Sequence, residues 1–354
     1  MDRSEALALL DQDLRDIPEG ADFTVGYFEA ADAPGIARLF HAVYGDGYPI
    51  DNVYIPERLI EEHRRGGMRS AVARIDTGDI VAHEALYRSS APNPCLLECG
   101  LGLTLPAYRS STAFFRTNLL LMELVGKDGV DGVFGEAVCN HLITQKFQKY
   151  SNLMETALEP SLMPARAYEA EQSAGGRVGC LVYSRVDRDR RKTLCIPAAY
   201  RDELPFLMDG LGLDRELVVS DTSLTGNGGA IKIERFDFAG VARCTITTPG
   251  TNLAARLTEL EQNLRHDDYV LIQIFIDLGN PGSAGVVEML RHNGYSLGGF
   301  LPIWFGSDAL LMQKHFVDPD FEGLRIYSER GHQLVDIVRD DWTRANGQQE
   351  RMTR

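Results

Sequence analysis

Apolar residues near the start of the chain recur first at helical and then at strand spacing. From Ser4 to about Leu14 the apolar run reads as a helix, and from Phe23 to Glu29 apolar residues alternate with polar ones as in a strand. Pro34 opens a second helical pattern with Ile36, Leu39, Phe40 and Val43 on one face. After the loop YGDGYPIDNVYIP, a third helix reads from Pro56 and closes at Gly66-Gly67. Two strands follow, MRSAVARID and DIVAHEALYR, joined by a Thr77-Gly78 turn.

A further strand, CLLECGLGLTL, runs from Cys95 into Pro106 and the polar loop AYRSST. The apolar helix FFRTNLLLMELVGKDG then ends at Gly129. Next come the strand GVFGEAV, the helix ITQKFQKYS, and the strands METALEP and GRVGCLVYSRV. The basic run RVDRDRRKT lacks apolar periodicity and reads as a solvated linker. Beyond it lie RKTLCIP, the helix around YRDELPFLMDGL, LVVSD, AIKIERFDF, VARCTITT, the helix NLAARLTELEQNL, VLIQIFIDLGN and AGVVEMLRHNGYSLGGFLPIWF. Their order repeats the end of the first half, which predicts an internal duplication. Its anchors are Asn140 against Asn280, and Pro160 or Pro164 against Pro302. VDPDFEGLRIYSERGHQLVDIVRDDW is expected to dock as a last helix and NGQQERMTR to fray.

A chain of 354 residues with 44% hydrophobic content accommodates two or three domains. No run of eighteen apolar residues occurs and the first residues are acidic, so the expectation is a cytoplasmic protein with no membrane span. The six cysteines lie in apolar stretches without a C-x-x-C pair and read as reduced thiols. The eight histidines show no ligand spacing, so no metal is expected. A formal net charge of −15 argues against nucleic acid as a partner.

The chemistry concentrates in ECGLGLTLPAYRSSTAFFRTNLLL. A strand ending at a proline, a short loop of small polar residues and an immediate helix start aim several backbone N–H groups and a positive helix end at one point, as pyrophosphate sites do. Leu103, Leu105, Pro106, Tyr108 and Arg109 in this segment resemble the pyrophosphate loop of the GNAT N-acetyltransferase superfamily. The resemblance implies an α/β fold with a mixed α+β sheet, present as two GNAT-like folds in tandem, the second degenerate. It implies acetyl-CoA as cosubstrate, its pantetheine arm along Leu103, Thr104 and Leu105. Its pyrophosphate would lie on the amides of Arg109, Ser110, Ser111, Thr112, Ala113 and Phe114. Ser110, Thr112 and Phe114 stand where the family usually has glycine, which implies a more crowded cradle. Asn140 matches the family's asparagine that contacts the coenzyme.

On this reading residues 1–21 form an N-terminal helix, 22–190 the coenzyme-binding domain, 191–318 the degenerate copy and 319–354 a C-terminal helix and tail. TITTPGTNLAAR, at the equivalent junction of the second copy, has neither the Tyr-Arg pair nor a glycine series. The resemblance implies acetyl transfer to a primary amine of a small molecule by direct attack in a ternary complex. Glu98, on the strand before the loop, is the first candidate for general base, with Glu136 the second. Phe147 falls where the family often has its general-acid tyrosine, which leaves Tyr150, one turn later, as the substitute. Tyr44, Tyr48 and Tyr54 could wall the acceptor pocket and hold an amine by cation–π contact, or pack the loop. His83 and His141 read as structural. Two other readings stay open: a catalytically silent ligand- or partner-binding protein, and an acyltransferase taking longer chains from a carrier protein. A homodimer is compatible with all three.

Overall fold

The structure is a computed structural model that describes residues 1–13, 15–168, 175–220, 223–224, 226 and 228–352. The chain is mixed α/β and divides into two compact units, Met1–Val133 and Phe134–Arg354. The division falls inside the segment 22–190 expected as one domain, so the two halves are a matter of topological repeat and not of separate compactness.

In the first unit the elements are α1 (Arg3–Asp11), β1 (Phe23–Tyr27), α2 (Ala33–Tyr44), α3 (Pro56–Arg64), β2 (Met68–Ile75), β3 (Ile80–Tyr87), β4 (Leu96–Thr104) and α4 (Ala113–Met122). Leu14, the expected end of the first helix, lies outside the described residues. The strands β1, β2, β3 and β4 pair antiparallel in chain order. Successive residues of a strand face opposite ways, so β3 sends His83 toward Phe40 of α2 and Glu84 toward Asn118 of α4. The sheet is thus covered on both faces. That burial explains why β3 is apolar almost throughout and does not alternate.

The second unit holds β5 (Gly132–Val138), which starts at the division, then α5 (Ile143–Tyr150), β6 (Met154–Met163), β7 (Val178–Val186), β8 (Lys192–Ile196), α6 (Glu203–Met208) and β9 (Arg215–Val219). It continues with β10 (Ala230–Phe236), β11 (Val241–Thr248), α7 (Leu253–His266), β12 (Leu271–Asp277), α8 (Ser283–His292), β13 (Ser296–Leu301), β14 (Ala309–His315) and α9 (Glu329–Met352). Its main sheet runs β5-β7-β6-β13-β14-β12-β11-β10, with β11 and β12 parallel, while β8 and β9 pair separately.

The duplication is visible inside this unit. β5-α5-β6-β7 places its last strand between the first two, and β12-α8-β13-β14 does the same. Asn140 and Asn280 each stand between the first strand and the helix of a copy. Pro164 and Pro302 each follow the third element, whereas Pro160 lies within β6. The copies meet where Gly299 pairs with Ala157. Gly299 has φ 147°, and a β-carbon there would collide with the Ala157 backbone, so only glycine permits the approach.

The basic run is exposed at Arg188, Arg190 and Arg191, as expected of a solvated stretch, and it is anchored at Asp189, which with Asp308 holds the buried Arg215 side chain, and at Lys192, which opens β8. Two expectations change. The last helix starts at Glu329, after an irregular stretch, and remains helical through Met352, where fraying was expected. It docks through Asp341, which accepts from the Tyr200 hydroxyl at 2.8 Å and the Leu297 amide at 2.7 Å. All six cysteines are free thiols. Among the described residues no helix is long and apolar enough to cross a membrane.

Candidate functional site

β4 ends at Thr104, and a single 3-10 turn, Pro106–Tyr108, leads through exposed residues 109–112 into α4. The turn is anchored by Tyr108, whose buried hydroxyl accepts from the Ala21 amide at 3.1 Å and donates to the Pro18 carbonyl. Three of the six amides expected to form the cradle are engaged within the loop. Arg109 donates to the Pro106 carbonyl at 3.3 Å, Ser111 to the Tyr108 carbonyl at 3.0 Å, and Ala113 to the Ser111 hydroxyl at 3.1 Å. The amides of Ser110 and Thr112 donate to no partner among the described residues, and the Thr112 side chain does not cap α4. The open donors therefore alternate and precede α4, Thr112 at its N-cap and Ser110 two residues earlier, on the side where the helix dipole is positive. Phe114 turns its ring onto Gly102 of β4 instead of toward the loop.

Glu98 lies near the start of β4, opposite Tyr87 at the end of β3. The Tyr87 hydroxyl of β3 donates to its carboxylate at 2.6 Å, and Gly100 leaves room for both, since a β-carbon there would fall 3.2 Å from the Tyr87 ring. Tyr48 stacks near Phe40 and Tyr44, each with ring centroids 4.9 Å away. Burial pushes the Tyr48 hydroxyl pKa up, and the nearby Tyr44 and Glu98 add to that. The first unit thus brings Glu98, Tyr87, Tyr48 and Tyr44 into one cluster. Tyr54 is different. It is fully buried, its hydroxyl accepts from the Tyr48 amide at 3.1 Å, and its ring already carries the Arg3 guanidinium at 5.0 Å. The cation on that ring belongs to the chain itself, and Tyr54 shapes the loop that presents Tyr44 and Tyr48.

Two groups escaped the sequence reading. Tyr87 gains its place from strand register, which sets it opposite Glu98. Glu84 is buried beneath α4, where Asn118 donates to it at 2.9 Å and the Cys99 thiol at 3.4 Å. Burial, opposed by these two bonds, pushes its carboxyl up to about 7. A carboxylate within an otherwise apolar strand was the available signal. His83 is held between the Leu101 carbonyl at 2.8 Å and the Ser70 hydroxyl at 2.9 Å, and burial lowers it to about 4.

In the second unit, Glu136 of β5 accepts from Arg243 at 2.8 Å. The same guanidinium reaches Glu159 at 3.2 Å and Gln273 at 2.9 Å. Glu136 is therefore part of a polar row across β5, β6, β11 and β12. Asn140, just past β5, lines a cavity of 290 Å³ with Arg177 and Arg325. Tyr150 ends α5 and is 70% exposed. At the junction of β11 and α7, Thr251 donates through its amide at 3.1 Å and its hydroxyl at 3.0 Å to the Gly226 carbonyl. A β-carbon on Gly250 would collide with the Gly228 carbonyl. The chain's own backbone covers this helix start. Among the described residues no group of His, Cys, Asp and Glu could hold a metal ion.

The solved structures that the chain resembles are GNAT-type N-acetyltransferases. One is a ribosomal-protein-S5-alanine acetyltransferase from Vibrio fischeri, 13% identical, with 49% of this chain and 97% of that one covered at a TM-score of 0.37. Another is an N-acetyltransferase from Staphylococcus aureus Mu50, 9% identical, with 46% and 98% covered at a TM-score of 0.38. A third is yncA, a putative acetyltransferase from Salmonella typhimurium solved with its cofactor acetyl-CoA, 14% identical, with 46% and 92% covered at a TM-score of 0.37. No protein-family model matches the chain, and no curated protein matches it.

Proposed function

We propose that the chain is an acyl-coenzyme-A-dependent N-acyltransferase that moves an acetyl group from acetyl-CoA to a primary amine of a small molecule. The observation that carries this reading is the pair of open amides at Ser110 and Thr112 just before α4. Such donors suit a pyrophosphate because they neutralise charge without a metal and need no rearrangement on binding.

In the reaction the amine nitrogen bonds to the thioester carbonyl carbon, the carbon–sulfur bond breaks, and the ammonium proton leaves. Glu98 is the general base that receives that proton, and Tyr87 fixes its carboxylate. The leaving sulfur takes a proton from water. Tyr44 and Tyr48 beside Glu98 offer an ammonium substrate aromatic faces and a negative charge, which favours a cationic acceptor.

Calorimetric titration with acetyl-CoA, followed by amine-dependent release of free thiol, tests the proposal. The expected result is saturable binding and turnover that Glu98→Gln lowers strongly without weakening coenzyme binding. No binding at millimolar acetyl-CoA overturns the reading. Binding without turnover on any amine makes the protein a silent binder, and turnover only with acyl-carrier donors reassigns the donor.

A further inference from the structure

Among the described residues the last strand of the main sheet of the second unit, β10, pairs with β11 on one side only. Its edge carries Lys232, Glu234 and Arg235, so the charges on it are of both signs. Edge strands commonly use charged side chains, a proline or a short length to block pairing with another chain, and charges of both signs block it only when the facing strand does not match them. β10 has seven residues, AIKIERF, without proline. Ile233 is 42% exposed and Phe236 41%. On one face Lys232 and Glu234 lie side by side, the ammonium 2.6 Å from the carboxylate, with side chains 66% and 41% exposed. On the other face Ile231 and Ile233 border a groove of 170 Å³ against Arg256 and Leu260 of α7.

We propose that β10 pairs antiparallel with β10 of a second copy of this chain, about a two-fold axis through Ile233. The register in which all seven residues find a partner is also the one that satisfies charge. It sets Ala230 opposite Phe236, Ile231 opposite Arg235, Lys232 opposite Glu234, and Ile233 opposite itself. Lys232 and Glu234 of the two copies then form a closed array of alternating sign on one face. On the other face the two Ile233 side chains meet at the axis and extend the apolar strip beside α7. A shift by one residue would put Lys232 opposite Ile233 and remove both ion pairs. The edge therefore favours itself, because a strand of uniform charge would gain one ion pair and one like-charge contact in place of two ion pairs. The contact is isologous and closed, so it ends at a dimer and does not propagate. This inference does not depend on the acyltransferase reading.

Light scattering on the full chain across a dilution series, with circular dichroism to confirm folding, tests the pairing. A dimer mass is expected for the parent. Lys232→Glu and Glu234→Lys should each weaken dimerisation roughly tenfold or more, since each turns two attractive pairs into repulsive ones, and the double exchange should restore it. Ile233→Cys should form an intermolecular disulfide with its own copy on oxidation, because residues opposite each other in an antiparallel pair lie about 4.5–5.5 Å apart. Ile231→Cys alone should not. A folded monomer at high concentration overturns the proposal. So does a dimer that ignores both charge reversals or that fails to cross-link through position 233.

Discussion

The ring of Phe114 occupies the space that a β-carbon on Gly102 would need: that carbon would fall 2.9 Å from the ring's Cζ and 3.6 Å from the Glu84 carboxylate. The bulk of Phe114 is thus matched by a missing side chain on the adjacent strand. Gly102→Ala is expected to destabilise the protein by about 1–3 kcal/mol through overpacking. Phe114→Leu in the same chain should recover much of that loss. A double-mutant cycle by denaturant unfolding checks the coupling, and additive effects would mean that the two positions do not share this space.

Glu84 carries a pH signature. Its carboxyl is raised to about 7 by burial, above the ordinary value of 4.5, so the folded state holds a proton that the unfolded state has released. The stabilisation is fully present below about 4.5 and is lost as pH rises through about 7. Glu84→Gln stays neutral and keeps an acceptor for Asn118. The variant should therefore gain stability relative to the parent as pH climbs across that window, by on the order of 2–3 kcal/mol. Parallel unfolding curves at every pH would show that Glu84 does not titrate in this range.

The order of elements was legible in the sequence because strand and helix periods are local properties, and proline and glycine marked most of the joints. β14 was not singled out, although it completes the second copy, because ALLMQKH is short and its place between β12 and β13 is a matter of topology alone. At the site, the strand, loop and helix around Arg109 could be read from residue types. The partners Tyr87 and Glu84 could not, since cross-strand register and helix coverage put them there. The direction of Phe114 and the self-covered start of α7 were hidden for the same reason: both depend on which distant backbone approaches.

The hydrogen bond from Tyr87 to Glu98 stabilises the charged carboxylate. Tyr87→Phe removes it while keeping the ring. The acid limb of the pH profile of kcat/KM should move to higher pH, with coenzyme affinity unchanged. A purely structural tyrosine would lower activity at every pH by the same factor, and that outcome would remove Tyr87 from the positioning of the base.

Arg243 holds Glu136 and the 3% exposed Glu159 together with Gln273. Arg243→Leu strands the Glu159 carboxylate in a buried place and is expected to cost about 3–5 kcal/mol. Adding Glu159→Gln should return a large part of it, because the remaining group is neutral. Chemical denaturation of the three proteins decides this, and an unrecovered loss would trace the cost to packing of the arginine stem.

One coenzyme per chain is the expected stoichiometry. The two strand-to-helix junctions begin alike, yet they differ in what lies over them: exposed residues 109–112 at the first, and the chain's own backbone carbonyls at the second. At the second, the Gly226 carbonyl takes both the amide and the hydroxyl of Thr251, and the Gly228 carbonyl lies where any side chain at residue 250 would have to go. A pyrophosphate would have to displace those backbone contacts and would meet the Gly226 and Gly228 carbonyl oxygens, so charge and space both act against it. β11 and β12 meanwhile bury their apolar faces, which lets the fold persist without the site. Equilibrium dialysis with acetyl-CoA should saturate at one equivalent. Ser110→Pro, which removes one open amide, should weaken that binding, whereas Thr251→Val should leave it untouched. Saturation at two equivalents, or loss of binding in Thr251→Val, would place a coenzyme at the second junction and reverse the assignment.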